Sequence, residues 1–231
     1  MFFNKLFFII LIVFLLQSCM LTSKMDKIVA EHYAKKNVLN SLNNKNEFSI
    51  HLDSLQKING FCKSQYKSFY TIPLLVYFYS DEKIKCSVNP RIYVNSIVNE
   101  LNKLIENVSA TQKLNNKTIE LHFTNVPNSF THHYSSHVIA IQYFFGLFSL
   151  SFRKNEMYYP QDNIYMNYVI RDKNSLQIIK RGSISEIITS VYDRKSMFDS
   201  RKYFVANFVS SYDKTMQYSC YQVAQKLINE L

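Results

Sequence analysis

Glycine is scarce in this chain. Gly60, Gly146 and Gly182 are the three among 231 residues, and they lie far apart. A dinucleotide fingerprint or a Walker loop needs clustered glycines so that backbone can approach phosphate, so both are excluded. Tryptophan is absent, which removes the residue that sugar-binding platforms often use. The four prolines form no rich spacer, and no run of five or six like charges marks a dedicated patch. The longest apolar run, Leu6 to Leu16, has eleven residues, well short of the roughly 20 that a membrane-spanning helix requires.

What remains is a globular balance, with 47% hydrophobic and 19% charged residues. The length suits one ordinary domain plus an extension. The opening stretch MFFNKLFFIILIVFLLQSC carries the clearest signal: Lys5 as a positive n-region, then the apolar run, then the polar break Gln17-Ser18 before Cys19. Leu16-Gln17-Ser18-Cys19 resembles the lipobox of bacterial lipoprotein precursors, with Gln17 bulkier than the usual residue at its position. That resemblance implies cleavage between Ser18 and Cys19, diacylglycerol on the Cys19 thiol and acylation of the new amine. Removing the first 18 of 231 residues leaves 213 and loses Lys5, which lowers the net charge from +10 to +9. Two or three acyl chains hold a protein stably at a bilayer where one does so only marginally.

Three other cysteines remain, Cys62, Cys86 and Cys220, which allow one internal disulfide and one leftover thiol in an oxidising compartment. Cys62 and Cys86 flank one apparent strand region and are the favoured pair; pairing with Cys220 stays open. The positive charge points to no nucleic acid in an exported protein. The nearer anion is the lipid surface, where each Lys or Arg contributes about 1 kcal/mol. An abundance of Lys, Asn, Ile, Tyr and Phe is equally what an AT-rich genome produces.

Periodicity divides the chain into residues 1–18 as signal peptide, 19–46 as lipidated tether with a short helix, and 47–231 as a single α+β domain. Ser23 and Asp26 form a capping-box pattern, followed by Met25, Ile28, Val29 and Tyr33 on one stripe. Asn43 to Asn46 reads as a turn, and Phe48, Ile50 and Leu52 alternate. Ile72 to Tyr79 is a β-rich run. Asn89-Pro90 opens a helix whose face is Ile97, Leu101, Leu104, Ile105 and Val108. Strands follow at Ile119 to Phe123 and Ile164 to Ile170. A turn at Arg171 to Ser175 leads into a strand that Gly182 is expected to end, and Ile184 to Val191 continues the sheet. Ser210 and Asp213 are read as the capping box of a closing helix over 211–231, with Met216, Cys220, Val223, Leu227 and Leu231 on one face. The expected fold class is α+β: an antiparallel-rich sheet with helices on one face and a closing C-terminal amphipathic helix. This element order resembles the small envelope lipoproteins that serve ABC-type lipid transporters as auxiliary subunits, and lipoproteins with a TolB-N-like domain.

Candidate chemistry is thin. Thr131 to His137 concentrates three of the six histidines. One turn apart on a helix, His133 and His137 could share a metal. On a strand they point to one face about 13 Å apart, at roughly 3.3 Å per residue, too far for one ion. The surroundings favour strand or loop, so the cluster is read as a surface or hairpin-end feature, with His133 and His137 weak metal candidates. Gly182-Ser183-Ile184-Ser185 lacks the second glycine of a nucleophile elbow. Residues 138–152, VIAIQYFFGLFSLSF, read as core strand, or as two strands bent at Gly146. The functional alternative is a greasy hairpin that lines a lipid groove, touches the bilayer or meets a partner.

The sequence thus predicts a lipid-anchored lipoprotein in the bacterial envelope, facing the periplasm at the outer membrane. Its work is expected to be non-enzymatic, as an accessory or scaffold subunit with envelope protein partners and no cofactor. The alternative is an envelope enzyme or metal-binding protein that uses the His132–His137 region.

Overall fold

A computed structural model describes residues 23–34, 48–52, 62–71, 75–106, 116–143, 146–195 and 200–231. The lipobox segment with Cys19, the Asn43–Asn46 turn and Phe144–Phe145 lie outside them. The described residues form three helices and nine strands in two mostly antiparallel sheets, an α+β fold.

Helix α1 covers residues 23–34 and turns Met25, Val29 and Tyr33 into the core. Strand β1 (Ser49–Leu52) precedes two long strands, β2 (Cys62–Thr71) and β3 (Leu75–Ser87). Helix α2 (Arg91–Glu106) begins where the sequence said it should. The Asn89 carboxamide oxygen accepts from the Arg91 N–H at 3.1 Å, and the Pro90 carbonyl accepts from Val94, so proline occupies a first-turn position that needs no N–H. Its buried stripe is Ile92, Tyr93, Ile97, Val98, Leu101 and Ile105.

Then come β4 (Lys117–Asn125), β5 (Ser129–Tyr143), β6 (Gly146–Tyr159), β7 (Asp162–Asp172), β8 (Ile178–Ile188), β9 (Val191–Arg194) and α3 (Arg201–Glu230). The strands separate into a four-stranded sheet, ordered β1-β4-β7-β8, and a five-stranded sheet, ordered β2-β3-β5-β6-β9. Among the described strands only the β1–β4 pairing is parallel. In the four-stranded sheet Ile119, Leu121, Phe123, Ile164, Met166, Tyr168 and Ile170 alternate inward, which is the half-buried pattern of a sheet wet on its other face.

Three expectations need correction. Gly182 does not end a strand: β8 runs through it to Ile188. The glycine makes room for Tyr168 on the neighbouring strand, whose hydroxyl oxygen would lie 2.6 Å from a Cβ at that position. Ser210 and Asp213 do not cap the last helix, which starts ten residues earlier. Ser200 is the cap, accepting from the Tyr203 N–H through its hydroxyl at 3.2 Å, and Phe204, Val205, Phe208 and Val209 extend the buried stripe. Finally, Ile184 to Val191 does not continue one sheet. The chain leaves β8 at Ile188, and Val191 opens β9 in the other sheet.

Helix α3 joins the two layers. Near its start Phe208 and Tyr212 meet Phe130 of β5, with ring centroids 5.6 and 5.4 Å away. Near its end, Glu230 accepts from the Tyr168 hydroxyl at 3.1 Å and from Lys180 at 2.7 Å. Between them, Tyr33 of α1 hydrogen-bonds Tyr93 of α2 at 3.0 Å, and Tyr93 sets its ring edge-on to Tyr212. Burial pushes the hydroxyls of Tyr33, Tyr93 and Tyr212 above their ordinary values, so the knot stays neutral. Helix α1 therefore packs into the same core as the sheets.

Candidate functional site

The five-stranded sheet holds Cys62, Cys86 and the histidine cluster that the sequence singled out. Its register pairs Cys62 with Cys86, and their sulfurs form a disulfide that closes the base of the β2–β3 hairpin. The Cys62 N–H also donates to Asp26 of α1 at 3.0 Å. Cys220 is buried on α3, and its thiol donates to the Tyr93 carbonyl at 3.5 Å.

The histidine cluster falls inside β5, not at a hairpin end, because the strand continues to Tyr143. Alternation splits the three histidines. His132 faces inward and is fully buried beside Phe204, with its Nε2–H donating to the Asn155 side-chain oxygen at 2.6 Å. The surface reading is therefore wrong for His132: in a strand whose inner face meets α3, every second residue belongs to the core.

His133 and His137 point the other way, each with its own partner. His133 Nε2 meets the Asp81 carboxylate at 2.5 Å, and His137 Nδ1 meets the Tyr77 hydroxyl at 2.9 Å, with the Tyr79 ring 4.7 Å from its own. On the same face Glu156 accepts from Lys154 at 2.6 Å and from the Tyr192 hydroxyl at 2.5 Å. Burial opposes the Glu156 charge, but these two hydrogen bonds outweigh it and hold the carboxyl below its ordinary value. Among the described residues no three His, Cys, Asp or Glu side chains are grouped to hold a metal ion.

The register also arranges the sheet in bands. The charges on β2, β3, β5 and β6 all fall in the rows from Lys63–Lys85–Thr131–Tyr158 to Ser68–Ser80–Ser136–Arg153. From the row Phe69–Tyr79–His137–Phe152 onward, no Asp, Glu, Lys or Arg occurs on any of the four strands. In sequence terms, residues 68–80 and 135–152 hold ten aromatics and no charged residue. The end of the sheet that this band forms is not core where its side chains are described. Tyr77, Tyr79, His137, Val138 and Ile139 are only half-buried, while Leu150 and Phe152 are 48% and 60% exposed. Gly146 does lie at the bend, paired with Tyr143 across the β5–β6 turn.

Two features escaped the sequence reading. His51 and His122 stack at 4.4 Å on the outer face of the four-stranded sheet, brought together by the β1–β4 register. The Asp81–His133 pair joins residues 52 apart through β3–β5 pairing. Neither leaves a local pattern. No family model, curated protein or solved structure matches this chain.

Proposed function

We propose that the protein is a lipid-anchored lipoprotein of the bacterial envelope, held by acyl chains on Cys19, facing the periplasm at the outer membrane and acting as a non-enzymatic accessory subunit. The observation that carries this reading is the n-region, apolar run and lipobox ending at Cys19. The Cys62–Cys86 disulfide supports it, because such bonds persist in the oxidising space outside the cytoplasm. An anchor confines the domain to two dimensions and raises its effective concentration for membrane-bound partners.

Binding work suits the exposed Leu150 and Phe152, since large apolar side chains held in water at a sheet end are a cost that contact removes. Crosslinking the anchored protein in its own cells, with mass spectrometry of the captured chains, tests the accessory role. Transport or envelope-assembly subunits are the expected capture; an empty result beside an efficiently crosslinked control would contradict it.

The pairing of Asp81 with His133 favours one second reading, an acid–base or metal site on the outer face of β5. Stoichiometric zinc in the purified chain, lost in His133→Ala, would favour that reading over the first.

A further inference from the structure

The outward face of the five-stranded sheet has a directional composition. Strand parity places Lys63, Lys67, Lys83, Lys85, Lys154 and Arg194 on it, all exposed, opposite the face that meets α3. The acids on the same face, Asp81 and Glu156, are held by His133 and by Lys154 with Tyr192. Beyond this basic half, the same face continues into Tyr77, Tyr79, His137, Ile139, Leu150 and Phe152. A platform that is basic at one end and aromatic and apolar at the other matches the headgroup and upper acyl layers of an anionic bilayer.

We propose that this face is a second membrane contact: it lies on the bilayer that holds the Cys19 lipid, with its lysines over anionic headgroups and its charge-free end dipping to the headgroup–acyl boundary. The proposal rests on the anchor reading for its choice of membrane. Chain length argues against a pose in which the sheet stands on its tip. Three residues lie between Cys19 and Ser23, so four residue steps give a reach of at most about 14 Å. Helix α1 is pinned by Asp26 to Cys62, at the base of the sheet. From that base to the first charge-free row is seven residues, roughly 23 Å. A sheet standing on its tip would therefore hold α1 beyond the tether's reach.

Backbone chemistry limits the depth. Among the described residues β2 and β6 are edge strands beside the charge-free rows, since β9 pairs with β6 at Glu156 to Tyr159. Unpaired N–H and C=O groups are not tolerated in the hydrocarbon centre, so the contact stays at the interface.

The absence of tryptophan supplies the probe. The full chain carrying Phe152→Trp, or separately Leu150→Trp, is purified from membranes and reconstituted in phosphatidylethanolamine–phosphatidylglycerol vesicles, with and without brominated acyl chains. Blue-shifted emission that brominated lipid quenches is expected for both. The exposed α3 position in Tyr218→Trp should remain unquenched. Lys63→Gln and Lys67→Gln should each lower the docked fraction relative to the undocked by roughly fivefold, the equivalent of about 1 kcal/mol per basic residue. Water-like, unquenched emission at both 150 and 152 in an acylated chain would overturn the proposal while leaving the anchor intact. A blue shift that depends on protein concentration and resists bromine quenching would assign the face to a second copy and overturn it too. Quenching in a chain whose Cys19 proves unmodified would keep this contact and sink the anchor.

Discussion

Breaking the Cys62–Cys86 bond tests how the extended hairpin is held. The bond closes a loop with a sequence separation of 24, and the loop contains the whole of β2. In the chain-entropy treatment a loop of this size loses about 12 cal/mol/K of denatured-state freedom, or about 3.5 kcal/mol at 25 °C. Much of that should appear as lost stability, because among the described residues β2 is an edge strand with β3 as its one neighbour in the sheet. The paired change Cys62→Ser with Cys86→Ser avoids a stray thiol, and buried Cys220 is a poor exchange partner. Urea unfolding in matched detergent, followed by circular dichroism with and without reductant, is the assay. The reasoning predicts that reduced wild type and the double variant share one lowered midpoint. It also predicts faster hydrogen exchange along β2 and at the Cys62 amide that Asp26 holds. A midpoint unmoved by either treatment would refute it.

Other perturbations address the packing. Gly182→Ala pushes the Tyr168 ring off its seat and away from Glu230, and should cost about 1 to 3 kcal/mol in chemical denaturation. Pairing it with Tyr168→Phe should not restore the loss, since the ring carbons also crowd that Cβ. Leu176 sits at φ 57° in the β7–β8 turn with an exposed side chain, so Leu176→Gly should stabilise the hairpin by about 0.5 to 1 kcal/mol, read as a raised melting temperature. Phe208→Ala removes a fully buried ring packed at a tilt against Phe130 and should cost about 3 to 5 kcal/mol by urea unfolding. Acid should destabilise the fold. Hydrogen bonds hold the carboxyls of Glu156, Asp172 and Glu230 below their ordinary values, so their contribution is present above the ordinary range and lost as pH falls through the folded values. A urea midpoint level above about pH 5 and falling below it is expected; a midpoint that rises on acidification would contradict this.

How much of this was legible depended on whether the signal was local. Alternation at Ile119 to Phe123 and Ile164 to Ile170, and the Asn89-Pro90 start of α2, are written in consecutive residues, and the structure has them there. The start of α3 was hidden because its first turns carry Tyr203, Phe204, Val205, Phe208 and Val209, residue types that also suit strands. Only the spacing of Phe204, Phe208 and Tyr212 pointed to a helix. The division into two sheets was not legible. It depends on which strands pair, and β1 reaches β4 across more than sixty residues. The same holds for the outward face. Its lysines on β2, β3 and β6, and Arg194 on β9, are scattered singly with no run to notice, and register alone makes them neighbours. The greasy stretch over 138–152 was visible at once. Its partner over 68–80 was not connected to it until β3–β5 pairing set the two side by side.

The central claim is the anchor, and the intact mass of the protein extracted from its own membranes tests it most directly. The account predicts a chain beginning at Cys19, heavier than its residues by a diacylglycerol and an amide-linked acyl chain, with the Cys62–Cys86 bond intact. A chain that retains residues 1–18, or that begins at an unmodified Cys19, would contradict it.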